Sequence, residues 1–128
     1  MVVATNFHCI MLLLGSTAVL AASYSFYFDD LTMIVRSANV KKEKGTTAGT
    51  VTQTGASPGT YTTYYSIYLT SSNSVLTNEK AIASTSRQTT LVPYASSGYY
   101  DFVENCYLKG RYSSPGNNAV TVNGIWNP

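Results

Sequence analysis

The sequence predicts an all-β domain, preferably an antiparallel β-sandwich, with a small β-barrel as the alternative. Beyond Tyr24, apolar and polar residues alternate with a period of two, and no long stretch has helical spacing. Turn signals separate these segments at intervals of roughly ten residues. The aromatic residues are 11 tyrosines, four phenylalanines and one tryptophan, a set that favours strands with amphipathic outer rings.

Length and composition limit the chain to one folded domain. It has 128 residues, of which 45% are hydrophobic and only 11% are charged, so it is too apolar to be disordered. The formal net charge of +2 is too small for a protein that tracks a polyanionic backbone. Nucleic acid is therefore not an expected partner.

Residues 1–23 are predicted to be a hydrophobic, helical signal peptide. The run from Cys9 to Ala22 is apolar and uncharged and ends in small residues, as a signal peptide does before its cleavage site. It is shorter than the roughly 20 apolar residues that a membrane-spanning helix requires. Cleavage after Ala22 or Ser23 would leave a secreted domain at 24–128. An uncleaved segment would instead be a helix in a membrane or against another subunit.

The first half of the domain begins with two alternating runs. Tyr24, Phe26 and Phe28 share one side of the first strand, and a second run at 31–36 is either a separate strand or the continuation of one bent strand. The Thr-rich run at 46–54 is predicted to be a weak edge strand.

The second half of the domain also consists of alternating segments separated by turns. Residues 55–59 and 115–118 are rich in glycine, proline and small polar residues and predict turns. Glycine 124 is expected to be a bulge or a point of close approach. The predicted strands are 61–70, with Tyr65, Ile67 and Leu69 inward, then 75–77, 81–85, 87–92, 99–109 and the closing run 120–126.

The residues do not assemble a catalytic set, so we expect no enzyme, no metal and no cofactor. The only histidine, His8, lies in the presumed signal peptide, and zinc would need clustered cysteine and histidine. Cys9 would leave with that segment, and Cys106 alternates with Phe102 and Leu108 on a predicted inner face. We therefore expect Cys106 to be an unpaired, buried thiol.

Two charged features are interpreted as structural. Glu104 falls by alternation on the same apolar face as Phe102 and Cys106, so it is predicted to pair with Arg87, Lys109 or Arg111. The run 41–44, Lys-Lys-Glu-Lys, is predicted to be a solvated turn or strand end.

The outward tyrosines are the candidate ligand-binding residues, because β modules that bind sugars stack aromatic rings on them and add side-chain hydrogen bonds. The structural alternative is that outer rings simply pair across strands, for about 0.2 to 1 kcal/mol each. The predicted site residues are Tyr64, Tyr68, Tyr99, Asp101, Asn105 and Tyr107. The last four are predicted to share one face of the strand at 99–109.

The layout resembles that of uncharacterised small secreted proteins of Gram-positive bacteria. The matching pieces are the aromatic strand 24–28, the pair Tyr64-Tyr65, and the ending Val122-Asn123-Gly124-Ile125-Trp126, which has the form Val-x-Gly-x-Trp. In general character the chain is also similar to lactococcin-type bacteriocins, although it lacks an early Trp-Gly motif and a His-containing stretch. That similarity implies an envelope-active toxin by analogy only.

The expected function is that of a secreted, non-enzymatic binding module for an envelope or surface glycan or for a protein partner. One alternative is a structural subunit of a surface fibre or coat that self-associates through edge strands. The other alternative is the bacteriocin-like toxin implied by the resemblance.

Overall fold

The computed structural model describes residues 21–29, 32–56, 62–83, 87–112 and 119–128. Within these ranges the chain forms β-strands and one short 3₁₀ turn, Ser97–Tyr99, and contains no α-helix. The strands are β1 Ala22–Phe28, β2 Ile34–Arg36, β3 Val40–Lys41, β4 Ala48–Ala56, β5 Thr63–Leu69, β6 Lys80–Ile82, β7 Gln88–Pro93, β8 Asn105–Tyr112 and β9 Val120–Asn127.

The strands form two sheets, and within each sheet every pair of neighbouring strands is antiparallel. The first sheet has the order β1-β9-β4-β7. The second has the order β2-β8-β5-β6, and β3 also pairs with β8. The predicted all-β class is confirmed, and the two antiparallel sheets are consistent with a β-sandwich.

A single apolar core lies between the sheets. In β1 the alternation places Tyr24, Phe26 and Phe28 inward and the serines outward, as predicted. The Tyr24 ring centroid is 5.7 Å from that of Tyr65, and the Phe28 centroid is 5.2 Å from that of Tyr112, so side chains of the two sheets meet directly. Removal of these rings from water is the main stabilising contribution.

Gly124 was predicted to be either a bulge or a point of close approach, and it is a point of close approach. A Cβ atom at this position would lie 2.5 Å from the Tyr24 hydroxyl oxygen and closer still to the carbonyl oxygen of Thr52. The bulge is on the neighbouring strand instead, because the β4–β9 register shifts between Gln53 and Gly55. Glycine thus allows β9 to pass under the Tyr24 ring.

For the first half, the first of the two alternatives for residues 31–36, a separate strand, is correct, and the prediction for the Thr-rich run is wrong. β1 and β2 are not one bent strand, because β1 pairs with β9 in the first sheet and β2 pairs with β8 in the second. The Thr-rich run is not an edge strand either, because β4 lies between β9 and β7. Its inward positions include the fully buried Val51, while its threonines face outward and still contribute to both ladders.

The strand predicted at 99–109 begins only at Asn105. Before it, Ser96 caps the 3₁₀ turn by accepting a hydrogen bond from the amide of Gly98. The carbonyl of Tyr100 accepts from the Gly45 amide at 2.8 Å rather than from a neighbouring strand. Glu104 is therefore exposed rather than on the apolar face, and Arg111 is paired with Glu79 instead.

Lys42 is fully buried, so the prediction of a solvated turn is wrong for this residue. Its Nζ donates to the carbonyl oxygens of Tyr100 at 2.7 Å, Glu43 at 3.1 Å and Phe102 at 3.4 Å, and lies 4.8 Å from the Tyr94 ring centroid. Burial lowers the pKa of Lys42, although nearby Cys106 and Asp101 act to raise it. The ammonium holds the irregular segment before β8 in place.

The shorter strand predictions are confirmed in part. β6 overlaps the start of the predicted segment 81–85, and β7 overlaps most of the segment 87–92. In place of a strand at 75–77, Val75 and Thr77 each form an isolated bridge. The turn predicted at 55–59 is wrong for Gly55 and Ala56, which belong to β4. Residues 57–59, the predicted turn at 115–118 and residues 1–20 of the predicted signal peptide, including Cys9, lie outside the described residues. The predicted cleavage position coincides with the first residues of β1. Among the described residues, no helix has the length and apolarity needed to cross a membrane.

Candidate functional site

The candidate site is the outward surface of the second sheet, which we call the tyrosine–cation face. Alternation along β8 points Asn105, Tyr107, Lys109 and Arg111 to this side, because Cys106 and Leu108 point into the core. The register places outward residues of β2, β3 and β5 beside them. The face is defined by Arg36, Lys41, Tyr64, Tyr68, Asn105, Tyr107, Lys109 and Arg111.

Its centre is a stacked tyrosine pair. Tyr68 on β5 lies opposite Tyr107 on β8, and their rings are nearly parallel, with centroids 5.3 Å apart and an interplanar angle of 16°. The Arg36 guanidinium lies 3.8 Å from the Tyr107 ring centroid, and the Tyr107 hydroxyl donates to Asn73 Oδ1 at 3.2 Å. These contacts leave Tyr107 only 7% exposed.

Lys109 and Arg111 are also held against rings. Lys109 Nζ donates to the Tyr68 hydroxyl at 3.2 Å and lies 5.1 Å from that ring's centroid, while the Arg111 guanidinium lies 4.3 Å from the Tyr64 centroid. Such cation–π contacts contribute about 0.5 to 1 kcal/mol each at exposed sites. They fix the cations on the surface in defined positions.

Arg111 is also paired with a carboxylate. Its guanidinium donates two hydrogen bonds to Glu79, at 3.0 and 3.1 Å, and this hydrogen bonding lowers the pKa of Glu79. Both side chains are more than a third exposed, so the pair adds little to stability. It orients Arg111 and neutralises part of the positive charge at that end of the face.

Two open depressions follow one another along β8. One, of about 390 Å³, is lined by Lys41, Thr70, Ser71, Val103, Glu104 and Asn105. The other, of about 320 Å³, is next to the stacked tyrosines and is lined by Ile34, Val35, Arg36, Asn73 and Lys109 as well as by the two rings. Their lining mixes cations, hydroxyls, amides and the Glu104 carboxylate with a few apolar groups.

The structure brings four of the predicted site residues together and separates the other two. Tyr64, Tyr68, Asn105 and Tyr107 lie on the tyrosine–cation face. Tyr99 ends the 3₁₀ turn, with its ring 5.5 Å from that of Phe102, and Asp101 is exposed in the next turn. The prediction that Tyr99 and Asp101 share the face of Tyr107 is wrong, because the strand starts after them.

Sequence reasoning missed the cations of the face. Lys109 and Arg111 continue the outward alternation of β8, and Arg36 lies on the outward side of β2. The alternation alone could therefore have placed all three cations on an outer surface. Their association with the tyrosines depends on β2 and β5 flanking β8, which the local pattern does not reveal.

The remaining reactive group of the described chain is a buried thiol. Cys106 is free and fully buried, and its Sγ donates a long hydrogen bond of 3.6 Å to the carbonyl of Glu104. Burial raises the pKa of Cys106 to about 11, although Lys42 acts to lower it. The thiol is thus protonated at neutral pH and is a poor nucleophile. In the described ranges, no group of three or more His, Cys, Asp or Glu residues is placed to hold a metal ion.

Comparisons with protein-family models, with curated proteins and with solved structures find no match for this chain.

Proposed function

We propose that the chain is a secreted, non-enzymatic binding module that contacts a surface glycan or a protein partner through the tyrosine–cation face. The observation that carries this proposal is the gathering of ordered cations, a stacked tyrosine pair and two depressions on one side of one sheet. The uncharged apolar segment before Ser23 supports export through a cleaved signal peptide. The inaccessible thiol supports a role without covalent catalysis.

The proposal predicts that the protein is retained on intact cells or on a glycan array, and that truncating the half-buried rings of Tyr64 and Tyr68 reduces retention. We expect the double variant Tyr64→Ala/Tyr68→Ala to bind at least about fivefold more weakly, since side chains at the centre of a binding surface cost more than 1 kcal/mol when truncated. The measurement is the apparent dissociation constant from cell or array titration.

Tyr27→Ala is the matched control. Tyr27 is 53% exposed on β1, in the other sheet, so its removal should leave binding unchanged. Equal binding by the double variant and the wild type would place the contact elsewhere. A folded wild-type protein that is retained by neither cells nor array would remove the proposal.

One observation favours a structural subunit as the second candidate. Among the described strands β7 is at the edge of the first sheet, contains no charged residue, and carries Leu91, which is 61% exposed. Edge strands usually carry charge or other features that prevent pairing with a second chain.

For this candidate we expect concentration-dependent oligomers that Leu91→Lys dissociates into monomers. Size-exclusion chromatography with light scattering measures both states. Wild-type protein that stays monomeric at high concentration would contradict the candidate.

A further inference from the structure

Charge is segregated between the two sheets. The four strands of the first sheet, β1, β9, β4 and β7, contain no charged residue. The strands of the second sheet contain five of the chain's eight lysines and arginines and no carboxylate. Four of these five cations belong to the tyrosine–cation face, so this side of the molecule is suited to negative charge even though the net charge of the whole chain, on which the expectation of no polyanionic partner was based, is only +2.

The tyrosines of the face are covered in a way that disfavours stacking on a neutral sugar. Tyr107 has the Arg36 guanidinium over its ring and is stacked on Tyr68, and it is almost wholly buried. Arg111 lies over the ring of Tyr64, and Lys109 lies near the ring of Tyr68. The groups that remain available to a ligand are therefore mainly the cations, with the rings acting as their support.

The neutral partners of two cations leave their charge available. Arg36 donates to the amide oxygen of Asn39 at 3.2 Å, and Lys109 donates to the Tyr68 hydroxyl. Carboxylates do occur at the two ends of the face, where Glu79 binds Arg111 and the exposed Glu104 lines the larger depression. The central part, around Arg36 and Lys109, consequently has the strongest preference for an anion.

The site is elongated rather than a single pocket. The two depressions lie beside successive outward residues of β8, the first at Asn105 and the second at Tyr107 and Lys109. From Asn105 to Arg111 the strand extends about 20 Å at 3.3 to 3.4 Å per residue. A row of cations of that length fits a linear ligand with repeated anionic groups.

We infer that the ligand is a linear anionic polysaccharide, carrying carboxylate or sulfate groups, which lies along β8 with its anions on Arg36, Lys109 and Lys41. This inference rests on the proposed function and specifies its ligand class. The planar guanidinium of Arg36 can donate two parallel hydrogen bonds to either kind of oxyanion. Hydroxyl and amide groups of Thr70, Asn73 and Asn105 line the depressions, and they suit sugar hydroxyls better than the apolar anchors of a protein partner.

The experiment measures binding of the folded protein to four polymers of matched length by biolayer interferometry at 50 and 500 mM NaCl. The polymers are polygalacturonate for carboxylate, dextran sulfate for sulfate, neutral dextran, and poly-glutamate as an acidic peptide. We expect at least one acidic polysaccharide to bind tenfold or more tightly than dextran and poly-glutamate, with affinity falling at high salt. Binding of polygalacturonate would identify the anionic group of the ligand as a carboxylate, and binding of dextran sulfate would identify it as a sulfate.

Variants that remove single positive charges test whether the polysaccharide binds at Arg36 and Lys109. Arg36→Gln and Lys109→Gln should each weaken binding by about fivefold, the upper range for an exposed ion pair. Lys44→Gln is the control, because it removes the same charge from an exposed residue of the turn between β3 and β4. Thermal unfolding of each variant confirms that it is folded, and Lys109→Gln provides the answer if Arg36→Gln is destabilised.

The outcomes separate this inference from the proposed function. Dextran or poly-glutamate binding as tightly as the acidic polysaccharides, or an equal loss of binding in Lys44→Gln, would each overturn the inference. If none of the four polymers binds but cell retention still depends on Tyr64 and Tyr68, the inference is wrong and the binding module stands. If cell retention is absent as well, both are wrong.

Discussion

Replacing Gly124 with alanine is expected to destabilise the protein by about 3 kcal/mol, the upper part of the usual range for overpacking a core. The new methyl group would meet the Tyr24 hydroxyl and the Thr52 carbonyl. Neither can move easily, because Tyr24 donates to the Tyr65 hydroxyl at 2.9 Å and Thr52 pairs with Ile125 in the β4–β9 ladder. The free energy of unfolding in urea measures the effect.

Gly55→Ala is the control for this prediction. A Cβ atom at Gly55 would have no heavy atom within 4 Å, and Gly55 does not have a positive φ. Its substitution should change the free energy of unfolding by no more than about 0.5 kcal/mol. Equal losses in the two variants would show that close packing under the Tyr24 ring is not what requires glycine at 124.

Stability is expected to fall steeply as the pH rises above 9. Burial raises the pKa of Cys106 from 9.0 to about 11 and that of Tyr24 from 10.0 to about 12, and it also raises the pKa values of Tyr65 and Tyr94. Between the ordinary and the raised pKa the unfolded chain releases the proton while the folded chain keeps it, so alkali favours unfolding. A tenfold difference in proton affinity is worth about 1.4 kcal/mol. Cys106 and Tyr24 together therefore remove several kcal/mol by pH 12.

Lys42 acts in the opposite direction. Its pKa is below the ordinary 10.5, so the unfolded chain binds the proton more tightly and the stability due to this residue increases with pH up to that value. The effect of Lys42 is opposed by those of four groups, Cys106 and the three tyrosines. The protein is therefore still expected to unfold in alkali.

The variant Tyr24→Phe isolates one contribution. At pH 7 it should cost about 1 kcal/mol through loss of the hydrogen bond to Tyr65. Between pH 10 and 12 its free energy of unfolding should decrease less steeply than that of the wild type. The control Tyr27→Phe alters an exposed ring of the same strand, and its free energy of unfolding at pH 7 should be unchanged. Circular dichroism during urea titration at each pH provides the data, and parallel curves for wild type and Tyr24→Phe would contradict the prediction.

The elements that could be predicted from the sequence are those whose pattern is local. β1 and β9 alternate cleanly, and β5 does so except at Ser66, an outward position that is nevertheless buried. The inward residues of β1 and β5 were identified because a strand with one buried face has a period of two. The partner of each strand depends on residues far away in sequence. This is why the interior position of β4 and the assignment of β2 to the second sheet were not predicted.

Lys42 shows the same limit at a single residue. Its burial depends on the carbonyls of Tyr100 and Phe102, which are 58 and 60 residues away in sequence. In the candidate site, alternation correctly placed Tyr64, Tyr68, Asn105 and Tyr107 on the outer side. It could not show that Arg36, from another strand, covers Tyr107 and leaves charge rather than an aromatic plane as the dominant feature.

The pairing of β1 with β9 affects the order in which the protein can fold. Each residue of β1 finds its ladder partner about a hundred residues later in the sequence, as Ala22 does in Trp126. Closing so long a loop is slow, and the three inward aromatic rings of β1 have no sheet to join until β9 has been synthesised. Until then these rings form an exposed hydrophobic surface, and a chaperone that shields them would increase the yield of native protein.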